Sequence, residues 1–313
     1  MDQTFLNDAV SGLRSEPKRL PSKYFYDAKG DELFRKIMRL PEYYLTDCEH
    51  EILSDRGTDI LNTVYRNADE LNILELGAGD GYKTKILLEK AREQKRALKY
   101  IPVDISENIL EVLVKDLKNQ FPELNVAPKP MDYFDALRKT QSEGNAKNLI
   151  LFLGSTVGNL LNDERNSFFK SLSGCCKSGD ELLIGFDLQK DPLTILAAYN
   201  DESGITRDFN LNLISRLQNE LKLNVSPEQF YHYPSYDPIA GTARSFLVPK
   251  ENITLKTGNE RIELKKGEPI HCENSRKFTL KQIEEIAKDF GFKVVNHFTD
   301  SREYFADSLW RKI

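Results

Sequence analysis

The run Glu75, Leu76, Gly77, Ala78, Gly79, Asp80, Gly81, Tyr82, Lys83, Thr84 gathers glycine, acidic and basic groups in ten residues. It follows the apolar residues Leu71, Ile73 and Leu74 and opens into a helical pattern with Ile86, Leu87, Leu88 and Ala91. A strand, a glycine turn and a helix start bring backbone amides close to a nucleotide-like ligand. The spacing Gly77-x-Gly79-x-Gly81 is shorter than the dinucleotide fingerprint GxGxxG, and an acid begins the turn. Three further expected strand ends carry matching chemistry. Asp104, 27 residues beyond Gly77, can accept both ribose hydroxyls. Asp132 and Tyr133 suit an adenine amino group and ring face. The small-residue turn from Gly154 to Gly158 admits a ligand closely and ends in the amide of Asn159. Each has a plainer alternative: Asp104 or Asp132 can cap a helix, and glycines can serve a tight turn. Together, at strand ends, they favour an adenosine ligand.

These residues need elements to hold them. Short apolar runs at 73–76, 100–103, 149–153 and 182–186 alternate with helical patterns at 84–94, 107–120, 133–140 and 163–176, a rhythm that predicts a parallel sheet covered on both faces. After residue 187 the rhythm breaks. Helical segments at 192–199 and 208–221 lead into a polar, tyrosine-rich stretch at 231–237, then β-like runs at 243–248, 252–255 and 261–264. An amphipathic helix at 279–290 with Gly291 as its C-cap precedes strands at 293–298 and 306–311. The reading is a nucleotide-binding core at 54–189 and 277–313, and a second lobe from 1–53 and 190–276.

The net charge of −5 with scattered basic residues leaves no nucleic-acid footprint. No run reaches the length of a membrane span. The N-terminus lacks the basic and apolar regions of a signal peptide, so a cytoplasmic protein is expected. Cys48, Cys175, Cys176 and Cys272 form no zinc pattern, and His50, His232, His271 and His297 show no metal-ligand spacing. No metal is expected, and a monomer is.

The glycine turn with its leading acid resembles motif I of S-adenosylmethionine (SAM)-dependent methyltransferases. More specific strings extend over nearly the whole chain: Leu20 to Phe34 with Phe25-Tyr26-Asp27, Leu40 to Glu49 with Leu40-Pro41-Glu42-Tyr43-Tyr44, Gly154 to Leu160, Ala198 to Asp201, Glu273 to Phe278 and Phe305 to Arg311. In these the chain resembles the histidine-specific Nα-methyltransferase family of ergothioneine biosynthesis. The resemblance implies an α/β fold, with a Rossmann-like class I methyltransferase sheet and a second α+β substrate-binding lobe closing over a free amino acid. It implies trimethylation of the α-amine of L-histidine to hercynine, with SAM as the only cofactor. It places Gly77, Gly79, Lys83, Asp104, Asp132, Tyr133 and Gly154 on the cofactor. Asn159 and Tyr199 would take the substrate's carboxylate and amino end, and Glu273 and Ser275 the imidazole. Tyr26 and Tyr43 would line the pocket and assist catalysis. Two adjacent tyrosines are not expected to point the same way, so Tyr44 is assigned a structural role.

Two departures bear on substrate. Ser245, Phe246 and Leu247 stand where the family usually carries Ile-Glu-Met, which puts Leu247 at the position of a pocket-wall methionine, a near-conservation of volume. Asn274 replaces an apolar residue. The rivals are the same reaction on another amino acid, such as a tryptophan derivative, and a non-catalytic SAM or nucleotide sensor. A NAD-dependent oxidoreductase is disfavoured by the shortened glycine spacing.

Overall fold

The computed structural model describes residues 3–66, 70–143, 146–257 and 260–313. The chain forms two compact units: residues up to Tyr44 with Lys190–Arg276, and Leu45–Gln189 with Lys277–Ile313. The division lies at the first residue of the Tyr44–Tyr65 helix, nine residues before the boundary expected at 53/54, because that helix is continuous through position 53.

The second unit is built on a sheet that, among the described residues, has eight strands. Its order is Phe292–Thr299, Phe305–Lys312, Glu181–Asp187, Lys147–Phe152, Glu70–Leu76, Ala97–Asp104 and Asn125–Val126, with Lys129–Pro130 also on Ala97–Asp104. The strands from Glu181–Asp187 across to Asn125–Val126 pair in parallel. Phe305–Lys312 runs antiparallel to both of its neighbours. The chain moves outward from Glu70–Leu76 in one direction and returns to Lys147–Phe152 on its other side. The carboxyl ends of those two strands are therefore the topological switch point, where open α/β sheets bind ligands.

Helices follow their apolar periodicity. Thr84–Glu93 buries Leu87, Leu88 and Ala91. Glu107–Gln120 buries Leu110, Leu113 and Leu117 and is capped by Ser106, whose side chain accepts from the Ile109 N–H. Leu280–Asp289 opens with a capping box between Thr279 and Gln282. The chain leaves this unit and re-enters it at one point: the Gln189 N–H donates to the Phe278 carbonyl and the Phe278 N–H to the Asp187 carbonyl. A wholly buried ion pair, Lys277 Nζ to Asp187 Oδ2 at 2.6 Å, fastens the junction.

The first unit packs the helices Gln3–Arg14, Ala28–Ile37 and Ile205–Asn219 with an antiparallel sheet ordered Ile270–Arg276, Thr242–Pro249, Phe230–Asp237. Its core includes Phe5, Phe25, Phe209, Leu213, Phe230 and Leu247. The polar, tyrosine-rich stretch at 231–237, to which no element was assigned from sequence, belongs to the Phe230–Asp237 edge strand. An edge position tolerates Pro234 and leaves Tyr231 and Tyr233 exposed, which hides the usual alternation. The Ile205–Asn219 helix starts earlier than expected because Asp201 accepts from the Ile205 and Thr206 N–H groups. Burial alone would raise the Asp201 pKa, but hydrogen bonds from Ser203, Thr206 and Ile205 outweigh it and hold it at about 2.

Candidate active site

At the switch point, Gly77 and Gly79 take φ of +76° and +52°, a region that penalises a side chain. A Cβ on Gly77 would lie 2.9 Å from the Tyr133 hydroxyl, whereas a Cβ on Gly79 would meet nothing within 4 Å. The turn is thus closed on one side by Tyr133 and open at Gly79. The leading acid, Glu75, faces inward: it accepts from Thr84 Oγ1 at 2.6 Å and from the Tyr100 hydroxyl, tying strand, helix start and neighbouring strand together. Burial pushes its pKa up to about 7.

Asp104 ends its strand half-buried, with Oδ1 accepting from the Ser106 N–H at 3.0 Å. Since Ser106 supplies the helix cap, Asp104 is not spent on that task. Asp132 is exposed and accepts from the Phe134 N–H at 2.8 Å, so it does open the following helix. In both, only Oδ1 is engaged by protein donors among the described residues. Burial raises the Tyr133 hydroxyl pKa, and the charges of Asp104 and Asp132 add to this. Gly77, Asp104, Asp132 and Tyr133 thus come together. The donor set fits an adenosine group: carboxylates for hydroxyl or amino donors, an aromatic face, and an open glycine approach.

Lys83 and Gly154 meet on a residue that the sequence did not single out. Glu49, wholly buried on the Tyr44–Tyr65 helix, accepts from the Gly154 N–H (2.8 and 3.1 Å to its two oxygens) and pairs with Lys83 Nζ. Glu49 closes the string that begins at Leu40, but its role does not show there, because its partners are 34 and 105 residues away. Asn159 ends the short 3-10 helix Thr156–Asn159 and is exposed.

The other expected substrate residues belong to the first unit. The Tyr199 hydroxyl donates to Ser275 Oγ at 2.8 Å, and Ser245 Oγ donates to Glu273 Oε2 at 3.0 Å. A register shift between His271 and Glu273 sets Glu273 opposite Ser245 and Ser275 opposite Ala243, the kind of bulge that re-aims side chains. The Tyr26 hydroxyl is held firmly protonated, first by burial and then by the charges of Glu273 and Asp31 and by Tyr199. The residue as a whole is 48% exposed, and its ring meets Phe34 edge-on, as does the ring of Tyr43. Tyr44 is buried, and its hydroxyl accepts from Lys190 Nζ at 2.9 Å. Leu247 has no exposure and packs in the unit's core, so it supports this region from beneath. Among the described residues no group of three or more histidine, cysteine or acidic side chains is placed to hold a metal ion.

A parallel sheet with one antiparallel strand inserted, a glycine turn at its switch point and acids ending the next strands define a Rossmann-like, SAM-dependent methyltransferase. The sequence matches the family described as histidine-specific, SAM-dependent methyltransferases over residues 5–312. It is 31% identical over 307 residues to a histidine N-alpha-methyltransferase of Mycobacterium tuberculosis, covering 97% of this chain and 94% of that protein. It is 28% identical to ergothioneine biosynthesis protein 1 of Schizosaccharomyces pombe, covering 90% of this chain and 37% of that longer protein. It is 27% identical to a 4-dimethylallyltryptophan N-methyltransferase of Claviceps purpurea, covering 90% and 87%. The chain belongs to the family of SAM-dependent, histidine-specific methyltransferases.

Proposed function

We propose that the protein trimethylates the α-amine of L-histidine, giving hercynine for ergothioneine biosynthesis. The observation that carries this reading is the pair Glu273 and Ser275, two residues apart on one strand, each held by its own donor. The Glu273 carboxylate is an acceptor suited to an N–H. Ser275 Oγ accepts from Tyr199 and carries an O–H, a donor by type. One acceptor and one donor match a neutral imidazole, which has one N–H and one bare nitrogen. An indole has an N–H and no bare nitrogen to accept from a hydroxyl, which favours histidine over a tryptophan derivative.

SAM supplies a methyl group already activated on a sulfonium. Gly77, Gly79, Asp104, Asp132, Tyr133, Lys83 and Gly154 are the residues that would hold it. The remaining work of the protein is orientation and water exclusion. Asn159 and Tyr199 would fix the amino-acid head. The amine must be neutral to react, and enclosure away from water favours that form. Because the Tyr26 hydroxyl stays protonated, it acts as a hydrogen-bond donor rather than as a base, and protons leave through water. The rings of Tyr26 and Tyr43 offer faces to the growing cation.

Calorimetry in the presence of S-adenosylhomocysteine should show histidine binding and tryptophan not. Mass spectrometry after incubation with SAM and histidine should then show three successive methyl additions. Binding of tryptophan in preference, or no methylated product, would overturn the reading. A small-molecule amino acid as partner and a cytoplasmic setting accord with it.

A further inference from the structure

Glu49 lies where two turns of the cofactor half meet. It is wholly buried, yet its carboxylate takes the Gly154 N–H from the end of one central strand and the Lys83 ammonium from the glycine turn of the next. The sheet is shaped to admit it. Gly185 lies beneath, and a Cβ there would come 2.4 Å from Glu49 Oε1. Opposite Gly185 in register is Asp307, also wholly buried. A second carboxylate beside Glu49, with one cation between them, cannot ionise easily in such a place. Burial first, and the charge of Glu49 next, push the Asp307 pKa well above the ordinary range against the pull of Lys83. Asp307 is thus biased towards its neutral form, beside the Glu49–Lys83 ion pair. Only the lysine reaches outward, with its side chain 20% exposed, and its Nζ lies 3.5 Å from the Cβ position of Gly154.

A buried ion pair is weak evidence for stability, but this one joins two turns that a ligand must touch. We propose that Glu49 is a positioning residue of the methyl-transfer reaction: it fixes the Lys83 ammonium and the Gly154 turn in one arrangement and so prepares the site for the anionic end of the cofactor. The proposal rests on the cofactor reading given above, and wild-type binding of S-adenosylhomocysteine tests that reading separately.

The experiment compares Glu49→Gln with Glu181→Gln. Glu181 is likewise wholly buried and ion-paired, to Lys147 and Arg311, but begins its strand at the opposite end of the sheet. Titration calorimetry with S-adenosylhomocysteine on folded protein is expected to show Glu49→Gln weakened about ten-fold, the weight of a charge-assisted hydrogen bond. The KM for SAM should rise with it while the KM for histidine stays within about two-fold. Glu181→Gln should bind S-adenosylhomocysteine as wild type does. Equal affinity in Glu49→Gln and wild type, or an equal loss in both variants, would overturn the proposal. If Glu49→Gln does not fold, Gly185→Ala decides: it keeps the charge but displaces the carboxylate, and unchanged affinity there would also overturn it. Should wild type itself fail to bind S-adenosylhomocysteine, the cofactor reading falls rather than the role of Glu49.

Discussion

Glu75 gives the cofactor-side unit a pH dependence opposite to the usual carboxylate. It is 6% exposed at the end of its strand. Burial carries its pKa from 4.5 to about 7, against hydrogen bonds from Thr84 and Tyr100 and the charge of Lys83, which pull it down. Between those values the native state holds a proton that the unfolded chain has released, so stability falls as pH rises through the window. The full displacement corresponds to roughly 3.4 kcal/mol. Glu75→Gln removes the charge and keeps one acceptor. At pH 5 variant and wild type compare as neutral amide and largely neutral acid, differing by about 1 kcal/mol from rearranged hydrogen bonds. At pH 8 the wild type has lost roughly 3 kcal/mol that the variant retains. Asp307 is common to both proteins and cancels in the difference. Urea unfolding followed by fluorescence of Trp310, the single tryptophan and wholly buried in this unit, reads the effect. The gap should widen in the variant's favour from pH 5 to pH 8. An identical gap at both would refute a raised Glu75.

Gly79→Ala places a methyl in open space, so it should cost only about 1 kcal/mol of backbone strain while weakening S-adenosylhomocysteine roughly ten-fold; calorimetry showing full affinity would remove Gly79 from the site. Ser245→Ala deletes the 3.0 Å hydrogen bond to Glu273 and should raise the KM for histidine roughly ten-fold with S-adenosylhomocysteine affinity intact; an unaltered KM would mean that Glu273 needs no such anchor. Burial holds His232 neutral with a pKa of about 4, and its Nε2 has no hydrogen-bond partner among the described residues. Its contribution is complete above pH 6.5 and is lost as pH falls towards 4, up to roughly 3.4 kcal/mol. Hydrogen-exchange protection in the Phe230–Asp237 strand should therefore drop between pH 6.5 and 4.5 in wild type and less in His232→Asn, and equal drops would count against it.

The core sheet was legible because its signals are local. Apolar runs, glycine spacing and helix periodicity each lie within a dozen residues, and the acids at strand ends follow directly. Glu49 and Asp307 were not legible, since they meet only after the Tyr44–Tyr65 helix and the last strand have packed. The Phe230–Asp237 strand was masked by Pro234 and exposed tyrosines, features an edge strand permits. The bulge before Glu273 carries no local mark, yet it decides what Glu273 faces. Ser245 was visible as a departure from the family pattern, but its bond to Glu273 was not, because that depends on register between strands 28 residues apart.

That register explains how one scaffold can serve different amino acids. On the cofactor side, recognition as proposed would rest on glycine conformation, backbone amides and a buried charge group, none of which changes without disturbing the sheet. On the amino-acid side, in the proposed reading, it would rest on side chains of Ile270–Arg276 and its neighbour Thr242–Pro249, where alternate residues share a face. A substitution at Ser245, Glu273 or Ser275 alters what the face offers without moving the strand, whereas a one-residue slip would turn every one of these groups away. Under the proposed reading, specificity is set by side-chain exchange on a fixed register, and reaction type by the unit that carries the glycine turn.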